Sequence, residues 1–195
     1  MRVLLIYCHP VAESFAAALR DATLKGLARA GHEVEVLDLY AMGFQPVLTA
    51  EEHRGYLEAS GEKHPEPDHA KLIQWAEALL FVYPTWWYGL PAMLKGWLDR
   101  VWTPGLAFDL PSDGGPIVSL LRHIRKIGVV NTCGAPHWYS VLIGQPGRKT
   151  LLRGVRALCA RRCPTVWLAL YKMDSVTADQ RAAFLRKVES RFSRF

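Results

Sequence analysis

The chain has 195 residues, of which half are hydrophobic and 22% are charged. This balance is typical of one globular domain with a sizeable core, so we expect a single domain over residues 1–195. No apolar run approaches the roughly 20 residues that a membrane helix needs, and membrane insertion is not expected. The start, MRVLLIYCHP, lacks the longer apolar region and cleavage site of a signal peptide, which favours a cytoplasmic protein.

The charge and the cysteines restrict the partners. Much of the formal charge of +6 lies in residues 147–162, where apolar residues at helical spacing predict a helix packed on the core. A basic helix can bind nucleic acid, but this one has no element that reads bases, and no nucleic-acid partner is expected. The four cysteines form no Cys-x-x-Cys pair, and no histidine lies near Cys159 and Cys163. Free thiols in a reducing compartment are expected, and no metal site.

Strands and helices alternate along the chain. Strands are predicted over residues 2–7, 33–40, 79–83, 126–132 and 165–171. Helices are predicted over residues 14–31, 69–78, 91–101, 147–162 and 178–192, with a short one after Thr49. The expected N-caps are Ser14, Thr49, Asp68 and Thr177, and Gly31 is expected to end the first helix. The order predicts a doubly wound, mostly parallel α/β sheet with helices on both faces.

A long connection, residues 41–67, lies between the second strand and the third helix. Connections of this length inside a compact domain usually shape a site or a subunit contact. Its Pro-, Gly- and His-rich part, SGEKHPEPDH, is expected to be exposed.

Ligands of doubly wound sheets bind beyond the carboxyl ends of the strands, where three loops are of interest. CHPVAESF leads into a helix N-terminus, which favours a phosphate, and supplies His9 and Ser14. PTWWYGLP supplies three consecutive aromatic residues, and NTCGAPHWYS supplies small residues that a ring can approach. Taken alone, Ser14 can be only a cap and some of the aromatics only core. Together, a phosphate end and a flat aromatic end describe a flavin nucleotide.

These segments resemble the NAD(P)H:quinone oxidoreductases, which are flavoenzymes. The resemblance rests on HPVAESF, DLYAMGFQPV, PTWWYGLPAMLKGWLDRVWTPGLAF and NTCGAPHWYS, and it covers nearly the whole chain. It implies a flavodoxin-like α/β fold whose five-stranded parallel sheet has the order 2-1-3-4-5. It also implies a homodimer with a flavin at its interface, FAD or alternatively FMN, with NAD(P)H as electron donor and a quinone or similar flat molecule as acceptor.

The resemblance also implies roles for particular residues. The phosphate and ribose side of the flavin would be lined by His9, Ser14, Phe15 and Ala16. The isoalloxazine would lie along Pro84, Thr85, Trp86, Trp87 and Tyr88, and its polar edge would contact Thr132, Cys133 and Gly134. Tyr139 would stabilise the reduced flavin and protonate the substrate, so Tyr139, Cys133 and Gly134 are the candidate catalytic residues. The substrate pocket would be formed by Phe108, Leu110, Trp87 and Tyr88.

The chain departs from the family pattern at the proton relay and the pocket. The family's active-site histidine falls on Gln145, and its two pocket-closing tyrosines are Phe108 and Leu110. Without that histidine, Tyr139 is the expected donor, with Arg148 or His137 supplying positive charge. Two other functions stay open: a flavin-binding ancillary subunit of a potassium-efflux system, and a flavodoxin-type carrier that cycles single electrons.

Overall fold

A computed structural model describes residues 1–58, 64–111 and 113–195. Its five-stranded parallel sheet consists of β1 (Arg2–Tyr7), β2 (Glu33–Asp38), β3 (Ala78–Pro84), β6 (Lys126–Thr132) and β7 (Thr165–Leu170). Their spatial order is β2-β1-β3-β6-β7, which is 2-1-3-4-5 when only these strands are counted and confirms the predicted topology. Two short strands that the sequence did not predict, β4 (Phe108–Asp109) and β5 (Val118–Ser119), pair antiparallel beside it.

The helices are α1 (Phe15–Arg29), α2 (Ala50–Arg54), α3 (Pro67–Trp75), α4 (Ala92–Val101), α5 (His137–Leu142), α6 (Pro146–Lys149) and α7 (Ala178–Phe192). Single 3₁₀ turns occur at Tyr56–Glu58 and Met173–Ser175. The helix α6 continues into a π-helical segment, Thr150–Val155. Within the described ranges, no helix combines the length and apolarity needed to cross a bilayer.

The central strands β1, β3 and β6 are buried on both faces, and alternate residues of each strand point to opposite layers. Leu4 and Leu79 face one layer, which contains α3, α4 and the segment after α6. Leu5 and Leu80 face the other, which contains α1 and α7. Trp97 is fully buried in the first layer, as its helical spacing predicted.

Most predicted caps are confirmed. The Ser14 hydroxyl accepts a hydrogen bond from Ala17 N at 3.2 Å, and Gly31 follows α1 with φ +69°. Thr49 and Thr177 each form a capping box. The prediction that Asp68 caps α3 is wrong: the helix begins at Pro67, because proline is well suited to the first helical position.

Some boundaries also differ from the predictions. The helix α3 ends at Trp75, because Ala76 is already extended at ψ 147°. Pro91 is the N-cap of α4, and β2 ends at Asp38. The loop NTCGAPHWYS contains the unpredicted helix α5.

A buried polar cluster attaches the long connection to α4. The Arg100 guanidinium pairs with Glu52 and lies 2.8 Å from Glu66 Oε1. His64 and His69 are buried, so the predicted exposure of this stretch is wrong at both positions, while residues 59–63 lie outside the described part. Each histidine has a partner, Val101 O at 2.9 Å from His64 Nε2 and the Trp97 indole at 3.2 Å from His69 Nδ1.

Candidate functional site

Three loops meet at the carboxyl edge of the sheet, after the neighbouring strands β1, β3 and β6. Ring contacts join them into one surface. The His9 ring of the first loop lies 6.5 Å from the Trp86 ring of the second. The Tyr88 ring of the second lies 5.8 Å from the Tyr139 ring at the start of α5. The structure therefore brings together residues as far apart in the chain as His9 and Tyr139.

The second loop contains a tight turn, residues 86–89, which we call the aromatic turn. Gly89 N donates to Trp86 O at 3.0 Å, and the central residues Trp87 and Tyr88 have φ of 49° and 61°. Positive φ at both central positions is the signature of a type I′ turn, which glycine, asparagine and aspartate normally occupy. A non-glycine residue in such a conformation costs about 1 kcal/mol or more.

The aromatic turn projects its side chains away from the core. The Trp87 side chain is 93% exposed and Trp86 is 42% exposed. Neither tryptophan is therefore a core residue. Exposed aromatic planes on a strained backbone are typical of a surface that binds a flat ligand.

Contacts with the neighbouring elements hold the aromatic turn in place. Thr85 N donates to Thr132 O at 2.7 Å, which fastens the residue before the turn to the end of β6. Gly147 N donates to Tyr88 O at 3.4 Å. A Cβ at position 147 would lie 3.0 Å from the carbonyl carbon of Gly89, so a side chain there would push the two backbones apart.

The first loop ends at the N-terminus of α1. The amides of Phe15 and Ala16 lie in the first helical turn, where no preceding turn supplies carbonyl partners. The Ser14 hydroxyl caps the helix and lies 3.4 Å from Tyr7 Oη. His9 Nδ1 lies 3.1 Å from Val11 N and 3.2 Å from Val11 O, which leaves Nε2 as the ring nitrogen available to a ligand. This end of the site suits an anion.

The third loop contributes less backbone than expected. Cys133 is buried, its N–H is bonded to Leu170 O at 2.8 Å, and its thiol lies 3.5 Å from the Ser140 hydroxyl. Thr132 is also buried. Gly134 is exposed, and its N–H has no partner in the described part of the chain.

Tyr139 and Tyr88 form the polar end of the aromatic surface. The Tyr139 side chain is 36% exposed. Partial burial, and then the repulsion that an ionised Tyr88 would meet from an ionised Tyr139, raise the pKa of Tyr88 above its ordinary value. The Tyr88 hydroxyl is therefore a proton-bearing donor at neutral pH.

Gln145 belongs to a series of hydrogen-bonded side chains that the sequence did not reveal. Its φ of 48° places it in the left-handed region just before α6. Its Oε1 accepts from Arg148 Nη1 at 3.0 Å, and its Nε2 donates to Tyr171 Oη at 3.2 Å. The Arg148 guanidinium also lies 5.6 Å from the centre of the Trp167 ring. Arg148 is thus held beside the site, whereas the His137 ring packs 4.9 Å from Tyr171.

A small polar cavity of about 20 Å³ lies below the aromatic turn, between β3, β6 and β7. Among the described residues, three buried atoms in its lining have no hydrogen-bond partner in the protein: Tyr83 Oη, Asn131 Oδ1 and Trp167 Nε1. Asn131 Nδ2 donates to Thr85 Oγ1 at 2.8 Å. Sequence reasoning missed Asn131, although a polar residue near the carboxyl end of an apolar strand was a usable signal.

The predicted pocket residues lie on or beside the small two-stranded sheet. Phe108 is half-buried and packs against the core layer of α3 and α4. Leu110 is 45% exposed. Neither residue takes part in the ring contacts that join the three loops.

A family model described as having a flavodoxin-like fold matches residues 1–191. The chain belongs to this flavodoxin-like family. The match extends over all five strands of the main sheet and all three loops of the site.

Curated relatives are similar over most of this chain. The NAD(P)H dehydrogenase [quinone] 1 of Cavia porcellus is 33% identical over 158 residues, which cover 72% of this chain and 56% of the relative. The ribosyldihydronicotinamide dehydrogenase [quinone] of Pongo abelii is 35% identical over 158 residues, covering 71% of this chain and 66% of the relative. The matched region is thus less than two thirds of the relatives' length.

Among solved structures, the flavodoxin-like protein resembles the NAD(P)H:quinone oxidoreductase of Methanothermobacter marburgensis with a TM-score of 0.84. The two are 29% identical, and the match covers 99% of this chain and 96% of the other. Similarity of this extent includes the whole sheet and its surrounding helices.

Proposed function

We propose that this protein is a flavin-dependent NAD(P)H dehydrogenase that reduces quinones or similar flat acceptors by two electrons. One observation carries the proposal: the exposed, strained aromatic turn lies between a helix N-terminus suited to phosphate and the side chain of Tyr139. The overall change would be NAD(P)H + H⁺ + quinone → NAD(P)⁺ + hydroquinone. The names of the relatives agree with this chemistry.

The residues of the site fit a flavin nucleotide. The α1 N-terminus, with Ser14, would bind its phosphate, and the planes of Trp87 and Tyr88 would hold its ring. The free N–H of Gly134 would meet the polar edge of the ring. A bound flavin would supply hydride transfer between the nicotinamide and the acceptor.

The chain's own residues would supply protons and charge stabilisation. Tyr139, beside the protonated Tyr88, would donate a hydrogen bond where negative charge develops. Arg148 has no carboxylate within 4 Å in the described part of the chain, so its charge is available to an anionic ligand. Tyr139→Phe should slow flavin reduction at least about tenfold, the value of one hydrogen bond to a charged group. An unchanged rate in rapid-mixing experiments would remove Tyr139 from the mechanism.

We propose FAD as the flavin, with FMN as the alternative, in one domain over residues 1–195. Release of the flavin by heat and its identification by mass would distinguish FAD from FMN.

All four cysteines are buried, and they are unpaired as predicted, which supports a reducing compartment such as the cytoplasm.

The apolar side chains of Phe108 and Leu110 support a preference for apolar acceptors, because neither offers a phenolic donor. The comparison is kcat/KM for a series of quinones of rising polarity. A Leu110→Tyr variant should shift the preference toward polar quinones. An identical order in both proteins would exclude Leu110 from the pocket.

We further propose a homodimer in which the face of α5 meets a second copy. Only Ser140 of this helix is buried, while Trp138, Val141 and Leu142 are exposed by 66%, 51% and 72%. An apolar face of this kind beside a site is typical of an interface. Light scattering should give the mass of a dimer for the wild type and of a monomer for Leu142→Glu. A monomeric wild type at micromolar concentration would contradict the proposal.

The reaction is tested by its two halves under anaerobic conditions. NADH or NADPH should bleach the visible flavin absorbance, and a quinone added after removal of the nicotinamide should restore it. Parallel lines in double-reciprocal plots would follow from such alternation. If NAD(P)H failed to bleach the flavin-bound protein, the proposed dehydrogenase activity would be wrong, and a single-electron carrier would be favoured.

A further inference from the structure

The small polar cavity contains buried groups whose hydrogen-bonding needs match one water molecule. Tyr83 and Asn131 are only 1% and 2% exposed, and in the described part of the chain Tyr83 Oη and Asn131 Oδ1 have no protein partner. The Trp167 N–H is a third such group. A cavity of about 20 Å³ exceeds the roughly 10–15 Å³ that one water requires, and buried waters typically make about three hydrogen bonds.

We propose that this cavity binds one ordered water, and that the water orients Asn131 so that Thr85 donates a hydrogen bond to the ligand. The water accepts from Tyr83 Oη–H and from Trp167 Nε1–H. Both lone pairs of the water are then used, and one of its hydrogens is directed to Asn131 Oδ1. The other end of the amide, Nδ2, consequently faces Thr85.

The direction of the Asn131–Thr85 hydrogen bond decides what Thr85 can do. Because Nδ2 donates to Thr85 Oγ1 at 2.8 Å, the hydroxyl hydrogen of Thr85 is not used in that bond. Thr85 is half-buried and directly precedes the aromatic turn, and its backbone N–H is already bonded to Thr132 O. Its hydroxyl hydrogen is therefore available to an acceptor atom of a ring placed against the turn. This ligand-directed part rests on the proposed function.

The first experiment needs no ligand. It measures the change in the urea unfolding midpoint caused by Tyr83→Phe, and the direction of that change depends on whether the water is bound. We expect Tyr83→Phe in the flavin-free protein to lower the urea midpoint, because a bonded hydroxyl is lost. Tyr7→Phe is the matched control: Tyr7 is equally buried, at the end of β1, and its hydroxyl has a protein neighbour in Ser14. A fall comparable to the control supports the water site. A rise in the Tyr83→Phe midpoint means that the hydroxyl was unsatisfied, and would overturn the proposal.

The second experiment measures flavin affinity to test whether the Thr85 hydroxyl donates its hydrogen bond to the ligand. Thr85→Val should raise the Kd about tenfold, the value of one hydrogen bond. Asn131→Asp, nearly the same shape, offers Thr85 only acceptor atoms when its carboxyl is ionised, so at a pH above the pKa of that carboxyl the hydroxyl turns toward it and a similar loss is expected. The double variant, Thr85→Val with Asn131→Asp, should have a flavin Kd no higher than that of the single variant with the higher Kd. An unchanged Kd in Thr85→Val would overturn the inference.

The two experiments separate this inference from the proposed function. If the wild type binds neither FAD nor FMN, the proposed function and the role of Thr85 both fail. The urea midpoint of Tyr83→Phe would still decide whether the cavity holds water.

Discussion

Two consecutive residues of the aromatic turn, Trp87 and Tyr88, have the backbone conformation that glycine adopts most easily. The conformation is retained because Thr85 and Gly147 fasten both sides of the turn. The strain places the Trp87 plane in solvent, where it contributes little to the stability of the fold. A residue that costs free energy and packs on little is best explained by a ligand.

Substitution at Trp87 should separate strain from binding. We expect the flavin-free Trp87→Gly protein to be about 1 kcal/mol more stable than Trp87→Ala, because only glycine relieves the positive φ. Trp138, exposed on the helix α5, is the control. There the order should reverse, with alanine more stable by about 1 kcal/mol. Urea unfolding measures both pairs, and the same order at both positions would contradict the strained turn.

Individual residues were predictable where their pattern carried the information. The spacing of α4 predicted a buried Trp97, and proline and glycine around the three aromatics predicted a turn. The direction of the Gln145 side chain was not predictable, because it depends on Arg148 and on Tyr171, which lies 26 residues further along. Asn131 was missed because its partner Thr85 comes from another strand end.

At the scale of elements, the start of α6 supports the aromatic turn. Gly147 N bonds to the turn, and the absence of a side chain at this position lets the two backbones approach. The helix then widens into the π-helical segment Thr150–Val155, while Leu151 and Val155 still reach the core. Apolar spacing predicted the packing of this helix, but it does not distinguish a π-helical segment from regular α-helix.

A methyl group at position 147 should displace the aromatic turn. We expect Gly147→Ala to destabilise the protein by about 1–3 kcal/mol and to weaken flavin binding, because the new Cβ meets Gly89 backbone at 3.0 Å. Gly154→Ala, in the same helix, has nothing within 4 Å of its Cβ and should stabilise by about 0.5–1 kcal/mol. Thermal unfolding and flavin titration give both values. Equal changes in stability and flavin affinity in Gly147→Ala and Gly154→Ala would show that the aromatic turn is not held in place by contact with Gly147.

At the scale of the whole molecule, the strand order is what assembles the site. Since β1, β3 and β6 are neighbours, loops that are far apart in sequence meet at one edge. The alternation of strands and helices predicted this edge. It did not predict how the long connection folds, because the buried pairing of Arg100 with Glu52 and Glu66 depends on tertiary contacts.

The buried His69 should make the stability of the whole fold depend on pH. Burial holds the pKa of His69 below its usual value, and its Nδ1 accepts a hydrogen bond from Trp97. Below about pH 6.5 the unfolded chain binds a proton that the folded chain does not, so stability falls as the pH falls, by up to about 1.4 kcal/mol per pH unit. His69→Gln keeps an acceptor but cannot titrate. Its unfolding free energy should change less between pH 6.5 and 5 than that of the wild type, and equal slopes would contradict this role.

The aromatic turn and the adjoining loops should bind a flavin. The most direct measurement is a titration of the flavin-free protein with FAD and with FMN, followed by quenching of flavin fluorescence. We predict saturable binding of one flavin per chain, weakened roughly tenfold in Trp87→Ala, through loss of the stacked ring, and unchanged in a Trp102→Phe control, whose ring is buried away from the turn. No binding of either flavin, or equal affinity in the wild type and Trp87→Ala, would show that the aromatic turn is not a flavin site.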